Sequence, residues 1–142
     1  MNTFTSTVTN SQHASRLHHD RLATVVTLLK YTYGLVPVIA GLDKFAHLLT
    51  DWNKYLSPVV ADILPFSAAT FLGIVGVIEI IAGVLVFVKP KIGALAVSLW
   101  LAGIVLNLLL TGQYFDIAVR DLVMAIGAFS LYLMLPYRGE AQ

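Results

Sequence analysis

Four long apolar stretches, parted by short polar breaks, dominate the pattern of the chain. A helix needs roughly 20 apolar residues, at 1.5 Å rise each, to cross the hydrocarbon core of a bilayer. The first stretch runs from about Leu22 to Leu49 and carries Lys30, Asp43, Lys44 and His47. The second, Phe66 to Val88, holds a single charge, Glu79. The third, Ile92 to Leu110, is uncharged and contains Asn107. The fourth, about Ile117 to Leu135, has Arg120 and Asp121 near its start. Backbone amides and carbonyls in lipid must pair within their own segment, so these stretches are predicted to be helices.

Three kinds of break separate them. Lys89-Pro90-Lys91 is a tight turn whose proline ends one helix and admits the next. Thr111-Gly112-Gln113-Tyr114 is a second short turn. Short links place neighbouring helices side by side in opposite directions, which predicts an antiparallel four-helix transmembrane bundle. The longest link, Thr50 to Pro65, contains a helix-start signature in Ser57-Pro58, followed by Val59, Val60, Ile63 and Leu64 on one apolar face. With Trp52 and Tyr55 beside it, this piece is expected to lie flat as a short interfacial helix between spans one and two. Residues 1–21 are polar, rich in Thr, Ser and His, and lack the apolar core of a signal peptide. They are expected to form an N-terminal tail with a helical start near Ser15, leaving 22–136 as the membrane domain and 137–142 as a C-terminal tail.

Orientation follows from the basic residues. One side of such a bundle holds Arg16, Arg21, Lys89, Lys91 and Arg138, whereas the other side's links hold Lys54 with Asp51, Asp62 and Asp116. The positive-inside bias therefore predicts cytoplasmic termini.

Composition narrows the class. The chain has 142 residues, 58% hydrophobic and 12% charged, with mean hydropathy +0.81. A soluble domain is about 25% charged, and a globule of this size cannot hide so much apolar surface in one core. That excludes a soluble enzyme and a disordered tail. Nine Lys and Arg against eight Asp and Glu leave no basic excess for nucleic acid. Without cysteine there is no disulfide, thiol couple, iron–sulfur cluster or thiolate metal site. His13, His18 and His19 sit in the polar stretch, where fixed ligand geometry is not expected, so no metal site is predicted.

Chemistry is expected from the ionisable groups at membrane depth, each of which costs at least about 2.5–3.5 kcal/mol to insert. Counting from the cytoplasmic ends places Glu79 roughly 15 Å deep, Asn107, Arg120 and Asp121 at roughly 22–24 Å, and Asp43 with Lys44 at roughly 28–30 Å. Lys30, roughly 9 Å from the inner edge, can snorkel to water. Lys44, Glu79, Asn107, Arg120 and Asp121 thus form the predicted buried polar network, with Glu79 reaching up to an Arg120 reaching down. His47, four residues after Asp43, is expected to pair with it on one helix face.

The helix faces agree on a shared interior. Ala69, Gly73, Gly76, Ile80 and Gly83 make a smooth strip on the second span, and Gly93, Ala96, Trp100, Gly103 and Asn107 one on the third. On the first, Tyr33, Pro37, Ala40 and Lys44 align, with Gly34 and Gly41 adjoining and a kink expected at Pro37. Tyr33, Trp100 and Glu79 are either core or the lining of a ligand pocket. The polar set is either structural, fixing which helices touch, or functional. Trp52, Tyr55, Tyr114 and Tyr137 read as interface anchors.

Gly41-Leu-Asp-Lys44-Phe45 closing a first span, Gly76-Val-Ile-Glu79-Ile-Ile-Ala-Gly83 in a second, and Arg120-Asp121-Leu122 opening a fourth resemble the DoxX family over about residues 25–136. The resemblance implies a four-helix protein of the inner membrane, and the family's namesakes resemble membrane components of thiosulfate:quinone oxidoreductase. Lys44, Glu79, Arg120 and Asp121 match that pattern; Asp43 and His47 stand outside it. Fold resemblance does not settle a reaction. Two classes of function stay open. One is a membrane subunit or partner, itself non-catalytic, of a quinone-linked system that oxidises sulfur compounds, with bound quinone near Tyr33, Trp100 and Glu79. The other is a small-molecule transporter, or a structural or assembly subunit of a larger complex. No intrinsic cofactor motif is present, and the small-residue strips predict a homo-oligomer or a heteromeric membrane complex.

Overall fold

A computed structural model of the chain describes residues 2–135, with side chains from residue 19 onward. Tyr137, Arg138 and the rest of the C-terminal tail lie outside the described residues, as do the side chains of His13, Arg16 and His18. The described chain is all-helical: α1 (Asn2–Ala46), a 3₁₀ turn (Trp52–Tyr55), α2 (Pro58–Ile63), α3 (Ala68–Val88), α4 (Pro90–Leu110) and α5 (Phe115–Met134). Four segments are long and apolar enough to cross a membrane: His19–Ala46, Ala68–Val88, Pro90–Leu110 and Phe115–Met134.

Local chemistry moves the helix ends from their expected places. α1 extends back to Asn2, through the stretch read as a polar tail, and the helix runs on through Pro37 without the hydrogen bond that proline's missing N–H would donate. At the other end α1 stops at Ala46, because His47 takes a left-handed backbone, φ 55°. Ser67 caps α3, which starts at Ala68, two residues after Phe66; the Ser67 side chain accepts from the Thr70 amide at 3.2 Å. Pro90 opens α4 at its first position, where a missing N–H costs nothing. Gly112 at φ 68° and Tyr114 at φ 56° reverse the chain before α5.

Glycines set the closest helix contact. A Cβ on Gly41 would meet the Gly76 carbonyl, and one on Gly83 the Gly34 carbonyl, each at 2.5 Å. Gly34 therefore opposes Gly83 as Gly41 opposes Gly76, so α1 and α3 run past each other in opposite chain directions. Such seams let backbones approach where lipid offers no hydrophobic drive between helices. α4 meets α5 through Ser98, whose hydroxyl donates to the Ala125 carbonyl at 2.9 Å. Around the α3–α4 turn, Tyr33, Ala82, Val86, Ala94, Val97, Ala128 and Leu131 form a closed core. A smaller cluster of Val105, Leu108 and Ala118 packs at the opposite end, with Tyr55 and Tyr114 against it. Between these two clusters the helices part, and the polar side chains meet there.

Candidate functional site

Lys44 and Glu79 form the central contact. Nζ of Lys44 lies 2.5 Å from Oε2 of Glu79, and their side chains are 4% and 6% exposed. Trp100 turns its indole N–H toward the other carboxylate oxygen at 3.4 Å, and the Lys44 ammonium sits 3.8 Å from the centre of the Trp52 ring. Glu79 was expected to meet Arg120. Instead Arg120 bonds Asp116 at 2.9 Å on the outer face of α5, with both side chains 71% exposed.

Helix geometry gives the reason. Side chains lean toward the N-terminus of their own helix. In oppositely directed α1 and α3, Lys44 and Glu79 therefore lean toward each other, and two long side chains close a gap of about one turn. Arg120 leans toward the start of α5, away from Glu79 and onto Asp116 one turn earlier. Lying near the start of α5 and outside the helix contacts, the pair should matter less than Lys44–Glu79: Arg120→Gln is expected to destabilise the fold clearly less than Glu79→Gln, measured by unfolding in mixed micelles. A loss of several kcal/mol would restore a buried role for Arg120.

Asp43 is organised by the link and not by His47. Its carboxylate accepts from the amides of Leu48 and Leu49 at 2.8 and 2.9 Å and from the Trp52 indole at 2.8 Å. His47 bonds back through its amide to the Asp43 carbonyl at 2.7 Å, while its exposed ring lies near the Phe45 carbonyl. Asp43 thus folds the link over the end of α1 and sets Trp52 on Lys44. In the link itself, side-chain and backbone hydrogen bonds from Asn53 hold Asp51 below the usual carboxylate range. Asn107, expected in the interior network, clamps the link from α4. It donates to the Tyr55 carbonyl at 2.7 Å and accepts from the Ser57 amide at 3.1 Å. Trp52 and Tyr55, read as interface anchors, are half-buried and form a roof, with Tyr55 edge-on to Tyr114 at 4.9 Å.

Beneath this roof is a cavity of about 640 Å³. Tyr33, Ala82 and Val97 form its floor; Lys44, Glu79, Trp100 and Asp121 stand in its walls. That volume lies within the range of small-molecule pockets. Of the expected network, Lys44, Glu79, Asn107, Arg120 and Asp121 all border the cavity, yet only Lys44 and Glu79 bond one another. The expected pocket group of Tyr33, Trp100 and Glu79 is brought together along one side. Exposed Val36, Leu99 and Gly103 also line it, so the cavity reaches the outside of the helices. Gly103, read as a packing residue, has no atom within 4 Å of an added Cβ. Sequence reasoning missed the roles of Asp43 and Trp52; the signal was an acidic residue at a helix end, within one short loop of an indole donor.

Compared with known proteins, the chain matches no family model, no curated protein and no solved structure.

Proposed function

We propose that this is a DoxX-like protein of the inner membrane whose cavity receives the head group of a membrane quinone. It would serve as a non-catalytic subunit or partner of a quinone-linked oxidoreductase acting on sulfur compounds. The observation that carries the reading is the apolar cavity of about 640 Å³ ending on the buried Lys44–Glu79 pair. A quinone head is flat and apolar with carbonyl acceptors at its rim. The lining fits it: Lys44 has protons beyond the one facing Glu79, Tyr33 borders the same space, and the Trp100 indole, its N–H turned to Glu79, offers a flat apolar wall. A lipid-soluble ligand enters from the bilayer past the exposed wall residues.

In this reading the four spans form an antiparallel transmembrane bundle, and α2 lies in the interface. The α3–α4 turn, with Lys89 and Lys91, faces the cytoplasm with both termini, while the link carrying Asp51 and Asp62 faces outward. In the same reading the protein associates with copies of itself or with a redox partner, and its exposed apolar helix faces are available for that contact.

Purification from native membranes in mild detergent, followed by solvent extraction, tests the proposal. Stoichiometric quinone and a co-purifying redox polypeptide are expected. Protein free of quinone, whose tryptophan fluorescence does not respond to added decylubiquinone, would overturn it.

A further inference from the structure

One carboxyl in the cavity wall has no partner among the described residues. Asp121 of α5 is half-buried in the wall, about a turn and a half into a helix apolar enough to span a membrane. Among the described residues, ion pairs join Lys44 to Glu79 and Arg120 to Asp116, and Asp121 forms neither an ion pair nor a hydrogen bond. Both nearby cations are therefore committed elsewhere. Lys44 is held at 2.5 Å by Glu79 and covered by Trp52; Arg120, though it borders the cavity, is bonded at 2.9 Å to exposed Asp116 on the outer face of α5. With Asp116 counted as the partner of Arg120, the two pairs cancel, and Asp121 is left as one unpaired carboxyl in the wall.

The remaining wall suits positive charge. Tyr33, Trp52, Tyr55, Phe71 and Trp100 all border the cavity. Aromatic faces attract cations, most strongly when water is excluded, and Trp52 already carries the Lys44 ammonium. We propose that Asp121 and these rings make the cavity a binding site for a lipophilic organic cation, the carboxylate meeting its charge and the rings its apolar groups. The inference shares the cavity, Tyr33 and Trp100 with the quinone reading but rests on Asp121, which that reading does not use.

Tetraphenylphosphonium is the probe, with tetraphenylborate, its anionic near-isostere, as control. Titration calorimetry on the full chain in dodecyl maltoside should show binding of the cation and not of the anion. Asp121→Asn and Asp121→Leu should each weaken the cation on the order of tenfold or more, and Asp121→Glu should keep it. Neither neutral variant breaks a hydrogen bond, so either suffices if the other fails to fold. Equal binding of the two ions, no binding of the cation, or an affinity unchanged in a folded neutral variant would overturn the proposal. Quinone content measured on the unsubstituted chain separates the two readings: bound quinone without cation binding defeats this inference alone, and cation binding without quinone defeats the quinone reading alone.

Discussion

Glu79→Gln and Lys44→Met, made singly, should each destabilise the folded chain by about 3–5 kcal/mol, and the double change should recover most of the loss. The pair is 2.5 Å apart, with side chains 4% and 6% exposed, so removing one partner strands the other's charge where neither water nor lipid solvates it. An apolar and a neutral side chain of similar size leave no stranded charge. Unfolding by SDS in mixed micelles, with the four proteins of the double-mutant cycle, measures the coupling directly. Pairing Glu79→Gln with Arg120→Gln supplies the contrast, and no recovery is expected there. Additive losses from Lys44 and Glu79 would show that their contact does not hold the helices together.

Gly93→Ala should be among the most harmful of the small substitutions, at about 3 kcal/mol, the upper end of overpacking. Its Cβ would meet the Leu85 carbonyl carbon and the Val86 Cα, each at 2.5 Å, where α4 turns back on α3. These are backbone atoms, which cannot swing aside as a side chain can. The closed core around Val86, Ala94 and Val97 must then open. Gly103→Ala, ten residues along the same helix, should be neutral or stabilising by up to about 1 kcal/mol. It meets open space and gains helix propensity. The same micelle titration ranks the two, and equal effects would contradict the contact at the turn.

The four spans were legible because a bilayer imposes one simple rule on length and polarity. Every predicted stretch has its counterpart within a few residues. The remaining differences come from single side chains: the Ser67 cap, Pro90 at a first helical position, and the Asp43 carboxylate that gathers the link after Ala46. The small-residue strip of α3 was also legible, since Gly76 and Gly83 meet Gly41 and Gly34 as their spacing implied.

Which polar groups meet was decided by the tertiary structure. Height along a helix, counted from sequence, put Lys44 far above Glu79 and gave Glu79 to Arg120. The count treats each residue as a point on its axis, but side chains lean toward their helix N-terminus, and chain direction decides whether two of them converge. The pairing of α1 with α3 brings Lys44 and Glu79 together; the direction of α5 carries Arg120 to Asp116 and leaves Asp121, in the cavity wall, without an ion pair among the described residues. Sequence by itself determined the solvent, the span number and the residues able to sit at depth, because those depend on local length and polarity. Only the packing of the helices decided the ion pairs, the aromatic roof and the cavity, because each joins segments that no local rule connects.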